Sequence, residues 1–293
     1  KPNIKYKRKT IKKSKGKPIN DIIEVFKKEG ISFLKTLPED ELSNMIRAAN
    51  NAYYCNQDPL MTDNQYDILR EYTQHAFPGN VAAEEGHTEC AIVKNKVKLP
   101  YEMWSMDKIK PDTEALKKWK QKYSGPYVLS TKLDGVSGLY STEGPKPMLY
   151  TRGNGKIGQD VSHLIPYLRL PKTPGLVIRG EFIVSKAIFN DKYADKFSNS
   201  RNFVAGVVNQ KTADKEKYKD IDFVSYELIK PVGRPSGQFD FLMKENIEVA
   251  QMAEIDKAKL TNEALSELLI DWRDNYKYEI DGVICIDNNI YSR

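Results

Sequence analysis

Tyr127-Val128-Leu129-Ser130-Thr131-Lys132-Leu133-Asp134-Gly135 decides how the rest of the chain is read. An apolar, β-branched and aromatic run predicts a buried strand over Tyr127–Leu133, and Asp-Gly predicts the turn that ends it. A lysine at the end of such a strand is unusual. Desolvated, or placed near other cations, its amine becomes a nucleophile. Asp134 follows two residues later and would hold a metal or orient the amine, and Gly135 would let a ligand approach the backbone. From these residues alone, a surface lysine before an Asp-Gly turn is the commoner arrangement.

Downstream of this strand the pattern is mixed. Short β-rich runs occur at Gly138–Ser141, Met148–Thr151, Leu176–Arg179, Phe182–Val184, Phe223–Leu228 and Gly282–Ile286. Helices are predicted at Thr113–Tyr123, with Leu116, Trp119 and Lys120 on one side, at Phe239–Met252, and at Asn262–Asn275, where Leu265, Leu268, Leu269 and Trp272 share a face. With no regular βαβ alternation, the fold class is α+β. Upstream, Pro18 to about Pro78 reads helical. Pro38-Glu39-Asp40-Glu41 opens one helix, carrying Leu42, Met45, Ile46, Ala49 and Tyr53 at helical spacing, and Gln57-Asp58-Pro59 breaks it. Thr62-Asp63-Asn64-Gln65 is a capping box, and its helix ends at Phe77-Pro78-Gly79. Residues 80–110 read as an irregular linker.

The net charge of +6 on 293 residues is unevenly placed. Nine Lys/Arg and no acid lie in residues 1–17; removing them leaves −3 for the remainder. This predicts a basic, disordered tail, compatible with nuclear targeting or with attraction to phosphate. Cys55, Cys90 and Cys285 are too few and too dispersed for a disulfide framework or a four-cysteine zinc site, and His75, His87 and His163 lack metal-ligand spacing. No apolar run reaches membrane-span length, and the N-terminus has no signal-peptide core. A reducing, intracellular setting follows, nuclear or cytoplasmic.

Three further segments place charge beside apolar strands. Gly153-Asn154-Gly155-Lys156-Ile157-Gly158 matches GxGxxG, but Pro166 arrives too early for the required helix. It reads instead as a tight, amide-rich turn setting Arg152 beside an anion. Arg179-Gly180-Glu181 interrupts two apolar runs, and Glu279-Ile280-Asp281-Gly282 precedes another. Asp134, Glu181 and Asp281 would form a hard-cation site if they converge, and are otherwise turn or ion-pair residues.

Taken in order, these pieces resemble the NAD-dependent DNA ligases over about Leu42 to Asp287. Tyr53-Tyr54 with Asp63-Asn64-Gln65-Tyr66-Asp67 is similar to the family's helical NMN-binding domain, and Met103-Trp104-Ser105-Met106-Asp107 to its linker beside the adenine. Lys132-Leu133-Asp134-Gly135 resembles the nucleophile motif. Thr151-Arg152-Gly153-Asn154-Gly155, with Gly158-Gln159-Asp160, resembles the RGDG…TGED loop. Arg179-Gly180-Glu181, Asn199-Ser200-Arg201-Asn202 and Glu279-Ile280-Asp281-Gly282-Val283 complete the series. The resemblance fails in the basic tail over 1–17 and implies a helical NMN-binding domain over 18–95 and an antiparallel-sheet-rich nucleotidyltransferase domain (an ATP-grasp-like ligase adenylation fold) over 96–293. The OB and later domains are absent from the sequence, as in an adenylation portion of a longer, monomeric enzyme.

It further implies that Lys132 attacks the AMP phosphorus of NAD, releases NMN and carries AMP for sealing nicked double-stranded DNA. Asp134 and Glu181 would position lysine and ribose. With Asp281 they would hold Mg²⁺ largely through its waters. Tyr226 would stack on adenine, and Ser105, Met106, Ser130 and Gly135 would line the nucleotide. Arg152 and Arg201 would contact ribose or phosphate, and Tyr53, Asp63, Tyr66 and Asp67 the NMN half. Asp63, Tyr66 and Asp67, at i, i+3 and i+4, fit one helical face. Departures from the family pattern are Ser130 for Glu, Tyr54 for His, Asn209 for a basic residue and Ile286 for Lys. Two rivals are an ATP-dependent lysine nucleotidyltransferase of the RNA ligase or capping type, and an inactive nucleic-acid-binding remnant.

Overall fold

The computed structural model describes residues 17–54, 59–85, 96–111, 113–209 and 214–293. The basic run up to residue 16 and the break at Gln57-Asp58 lie outside them. The chain divides into two compact units, Lys1–Tyr53 with Pro59–Thr88, and Tyr54–Asp58 with Glu89–Arg293.

The first unit is helical: α1 (Ile19–Glu29), α2 (Ile31–Leu34), α3 (Glu39–Tyr54), α4 (Asp63–Ala76) and α5 (Val81–Glu85). The helical spacing in α3 buries Leu42, Met45, Ile46 and Ala49 against Ile23, Phe26, Leu34 and Leu69. The capping box at α4 is complete. Thr62 Oγ1 accepts the Gln65 N–H at 3.2 Å, and the Gln65 side chain accepts the Thr62 N–H at 2.9 Å. Helix α5 falls within the stretch expected to be a linker. Asn80 makes it possible: its amide donates to Ser43 Oγ (2.8 Å) and its carbonyl accepts the Ala83 N–H (3.1 Å).

The second unit begins with β1 (Lys96–Lys98), α6 (Ala115–Lys122), β2 (Tyr127–Leu133), β3 (Val136–Ser141), β4 (Met148–Thr151) and β5 (Ile157–Gln159). It continues through β6 (Val177–Ile183), α7 (Lys186–Lys192), α8 (Ser200–Asn209), α9 (Lys215–Lys219), β7 (Asp222–Lys230) and α10 (Pro235–Lys244). It closes with β8 (Glu248–Val249), β9 (Met252–Ile255), α11 (Asn262–Asn275) and β10 (Ile280–Asp287). Two main sheets have the orders β4-β3-β6-β7-β8 and β10-β2-β9; β1 and β5 pair separately. All pairings are antiparallel except β7 with β8. One apolar core lies on the five-stranded sheet beneath α8, with Phe182, Phe203, Val204 and Phe223. A second joins Leu129 and Leu133 of β2 to Val224 and Tyr226 of β7, with Phe239 and Trp272 from α10 and α11. The β2–β3 turn carries the chain from one sheet to the other. Among the described residues no helix is long and apolar enough to cross a membrane.

Two expectations change. The runs at Leu176–Arg179 and Phe182–Val184 are one strand, β6, because Arg179-Gly180-Glu181 pairs on both sides: with Leu139, Gly138 and Ser137 of β3, and with Glu227, Ser225 and Val224 of β7. The helix expected at Phe239–Met252 begins earlier and ends at Lys244. The residues after it pair as strands, and β9 lies along β2 from Tyr127↔Ile255 to Ser130↔Met252.

Candidate active site

Lys132 stands near the end of β2, the central strand of its sheet, opposite Gly282 of β10. The β2–β10 register slips by one residue here. Ile280 pairs with Leu133 and Gly282 with Lys132, leaving Asp281 as the extra residue of a β-bulge. Bulges re-aim side chains. This one brings the Asp281 carboxylate to 2.9 and 3.0 Å from Lys132 Nζ. Neither group is sealed off: the side chains are 44% and 27% exposed, so an incoming ligand can reach both.

Asp134, in the turn, is anchored by its N–H to the Glu279 carbonyl at 3.0 Å. Its carboxylate lies 3.9 Å from Arg201 in the first turn of α8. Gly135 is required by the fold. A Cβ there would meet the Phe182 carbonyl at 2.1 Å, so the glycine admits the close approach of strand β6. That close approach also delivers Glu181. Its Oε1 accepts the Gly135 N–H (3.2 Å), and its Oε2 accepts the Ser137 hydroxyl (2.9 Å). Burial pushes the Glu181 carboxyl up to about 7, against the opposing pull of Ser137, the Lys132 and Arg201 charges and the Gly135 amide. Lys132, Asp281, Asp134, Arg201 and Glu181 therefore share one electrostatic neighbourhood at the seam of the two sheets. Ser137 was not identified from sequence. Its alignment opposite Glu181 needs the β3–β6 register, which no local pattern reveals.

Among the described residues, no three His, Cys, Asp or Glu side chains are close enough to hold a metal directly. Direct coordination by Asp134, Glu181 and Asp281 does not fit. A hydrated Mg²⁺ held through its waters suits these hard oxygen donors.

Ser130 is buried two residues from Lys132, hence on the same face of β2. It lies between Ile284 and Met252, while Ile286 lies across from Val128. The departures at Ser130 and Ile286 thus fall on the Lys132-bearing face, which is less polar and less charged than the family pattern implies. Tyr226 is also a bulge residue, left unpaired between Arg179↔Glu227 and Gly180↔Ser225. Its ring is 9% exposed and lies 5.7 Å from the Arg179 guanidinium, so little of it is open for stacking in this conformation.

The Gly153–Gly158 segment forms the expected tight turn, with left-handed backbone at Gly153 and Gly155. Arg152, just before it, donates to a main-chain carbonyl and a hydroxyl: Nε to that of Met103 (2.9 Å) and Nη2 to that of Ser105 (3.0 Å). Met106 is exposed on the same irregular segment. In the helical unit, Tyr53 is exposed near the end of α3. Asp63 opens α4, and Tyr66 and Asp67 follow one turn on, Tyr66 packing partly on the helical core.

The family model for the NAD-dependent DNA ligase adenylation domain matches residues 93–292. A DNA ligase of Acanthamoeba polyphaga mimivirus is 36% identical over 284 residues, covering 93% of this chain and 44% of the relative. A DNA ligase of Clostridioides difficile is 28% identical over 297 residues, covering 87% and 43%. The chain spans less than half the length of these curated relatives.

Proposed function

The chain belongs to the NAD-dependent DNA ligase family through its adenylation domain, and on that premise we propose that Lys132 is the nucleophile of the adenylation step. Nζ attacks the AMP phosphorus of NAD; a P–N bond forms, the P–O bond to NMN breaks, and NMN leaves with the bonding pair. The observation that carries this reading is the Lys132 amine at the sheet seam, 2.9 Å from a bulge-presented carboxylate and beside a buried one. An ammonium does not attack, so Nζ must lose a proton first, and Asp281 at 2.9 Å is placed to accept it. Hydrated Mg²⁺ at these carboxylates would supply positive charge that disfavours the ammonium and offsets the phosphates. Arg201, 3.9 Å from Asp134, is suited to a ribose or phosphate oxygen. Ser105, Met106 and Tyr226 form the base side. Tyr53, Asp63, Tyr66 and Asp67 take the NMN half, and the AMP passes to the 5′-phosphate of nicked duplex DNA.

The test is to incubate the protein with Mg²⁺ and either NAD or ATP and to weigh it. One AMP is expected from NAD, mapped to Lys132 and absent in Lys132→Arg, whose guanidinium stays protonated. An adduct on another lysine overturns the assignment. An adduct from ATP alone selects an ATP-dependent nucleotidyltransferase, and none from either donor an inactive remnant.

A further inference from the structure

Residues 102–104 belong to no helix or strand, yet three consecutive main-chain carbonyls there are each taken by a different arginine. Arg293 Nη2 donates to the Glu102 carbonyl at 2.6 Å, Arg152 Nε to that of Met103 at 2.9 Å, and Arg179 Nη2 to that of Trp104 at 2.8 Å. Arg179 is the buried one, 8% exposed within β6. Its Nη1 lies 3.5 Å from the Glu227 carboxylate, which also pairs with Arg293 at 3.2 Å. Its guanidinium stands 5.7 Å from the centre of the Tyr226 ring, and its Nε is buried without a hydrogen-bond partner.

A buried, incompletely satisfied guanidinium is a poor choice for stability alone, since an apolar side chain of similar volume is usually no worse. What this one provides is a connection. It ties an irregular segment to the bulged stretch Tyr226-Glu227, through a planar fork that a lysine cannot reproduce. We propose that Arg179 is a positioning residue for the nucleotide base: it sets the spacing between the 104–106 segment and the Tyr226 ring, and so the width of the slot the base enters. The inference rests on the reading of Ser105, Met106 and Tyr226 as the base side. It adds a residue that works through them, without contact with the reacting phosphorus.

The test compares wild type with Arg179→Met, Arg179→Lys and Glu227→Gln. Two series are read: lysyl-AMP formation against NAD concentration, with NAD or its hypoxanthine analogue, and equilibrium binding of AMP and of IMP by calorimetry. For Arg179→Met the half-saturating NAD concentration and the AMP Kd are expected to rise at least tenfold. The rate at saturation should stay within about threefold, and the preference for adenine over hypoxanthine should fall by a similar factor. Arg179→Lys should recover part of the loss, and Glu227→Gln should shift half-saturation in the same direction. A merely structural arginine would lower stability without moving base preference. Unchanged AMP binding and base preference in the folded variants overturn the proposal, as does a fall in saturating rate with half-saturation unmoved. Should Arg179→Met fail to fold, the lysine and Glu227 variants decide. Should wild type form no adduct, the adenylation reading fails, while the AMP and IMP titrations still decide the role of Arg179.

Discussion

Glu181 is the residue at which structure and chemistry pull hardest against each other. Buried, its carboxyl titrates near 7 rather than at its ordinary 4.5. Between those values the native state binds more protons than the unfolded chain, so stability falls as pH rises from about 4.5 to about 7 and is flat beyond. At about 1.4 kcal/mol per pH unit, the loss amounts to about 3 kcal/mol. In the absence of divalent cations, Glu181→Gln should remove most of this slope. Denaturant unfolding at pH 5 and pH 8 reads it through tryptophan fluorescence, since Trp104, Trp119 and Trp272 all lie in the second unit. A variant whose pH slope matches wild type would show that Glu181 is not the titrating group. This residue was legible as a candidate from Arg-Gly-Glu, but its environment was not: burial comes from strands β3 and β7, far away in sequence. Gly135 shows the same limit. Room for a ligand is the reason its own neighbourhood suggests; strand β6 adds one that no local pattern shows, because the atom a Cβ would meet belongs to Phe182.

At the scale of elements, hydrophobic period and capping found most of the scaffold, and strand pairing supplied what they missed. Helices α3, α4, α6 and α11 announce themselves through spacing and caps. At Thr62 the cap closes both of its hydrogen bonds. Thr62→Ala should cost about 1 kcal/mol, seen as faster hydrogen exchange of the α4 amides; exchange unchanged along α4 would mean that tertiary packing alone holds the helix start. Strand β9 was hidden because Met252–Ile255 is short and only half-buried, an edge strand that gains its identity from β2. The bulges at Asp281 and Tyr226 were equally invisible, since a bulge is a mismatch between two strands and neither strand's sequence records it. Both bear candidate site residues. Removing the bulge, by deleting Asp281, would restore an even β2–β10 ladder, keep Ile280 opposite Leu133 in the core and take the carboxylate from the Lys132 amine. Adenylation should then fail in a protein that still folds, and retained adenylation would show that the bulge is dispensable.

For the whole molecule, the question is why a helical unit accompanies a nucleotidyltransferase-type unit in one chain. AMP is common to NAD and ATP, so the second unit alone has no means of choosing between them through the AMP half. The leaving groups differ: NMN carries a cationic aromatic ring, and pyrophosphate is a compact polyanion. Tyr53 is exposed, and Asp63, Tyr66 and Asp67 share one turn of α4. A pyridinium over an aromatic face gains roughly 0.5–2 kcal/mol, and the two carboxylates favour a cation while repelling pyrophosphate. Asp67→Asn and Tyr66→Ala should therefore each raise the NAD concentration needed for adenylation about tenfold or more, which corresponds to about 1.4 kcal/mol. The reverse reaction, NMN attacking the adenylated protein, should weaken by a similar factor, because forward and reverse steps share one transition state. AMP binding should not change, and that separates donor choice from damage to the base side. Tyr66 also packs on the helical core, so Asp67→Asn, which leaves that core untouched, is the cleaner variant. If it adenylates from NAD like wild type, or if wild type prefers ATP, the helical unit does not choose the donor and its acids serve only the start of α4.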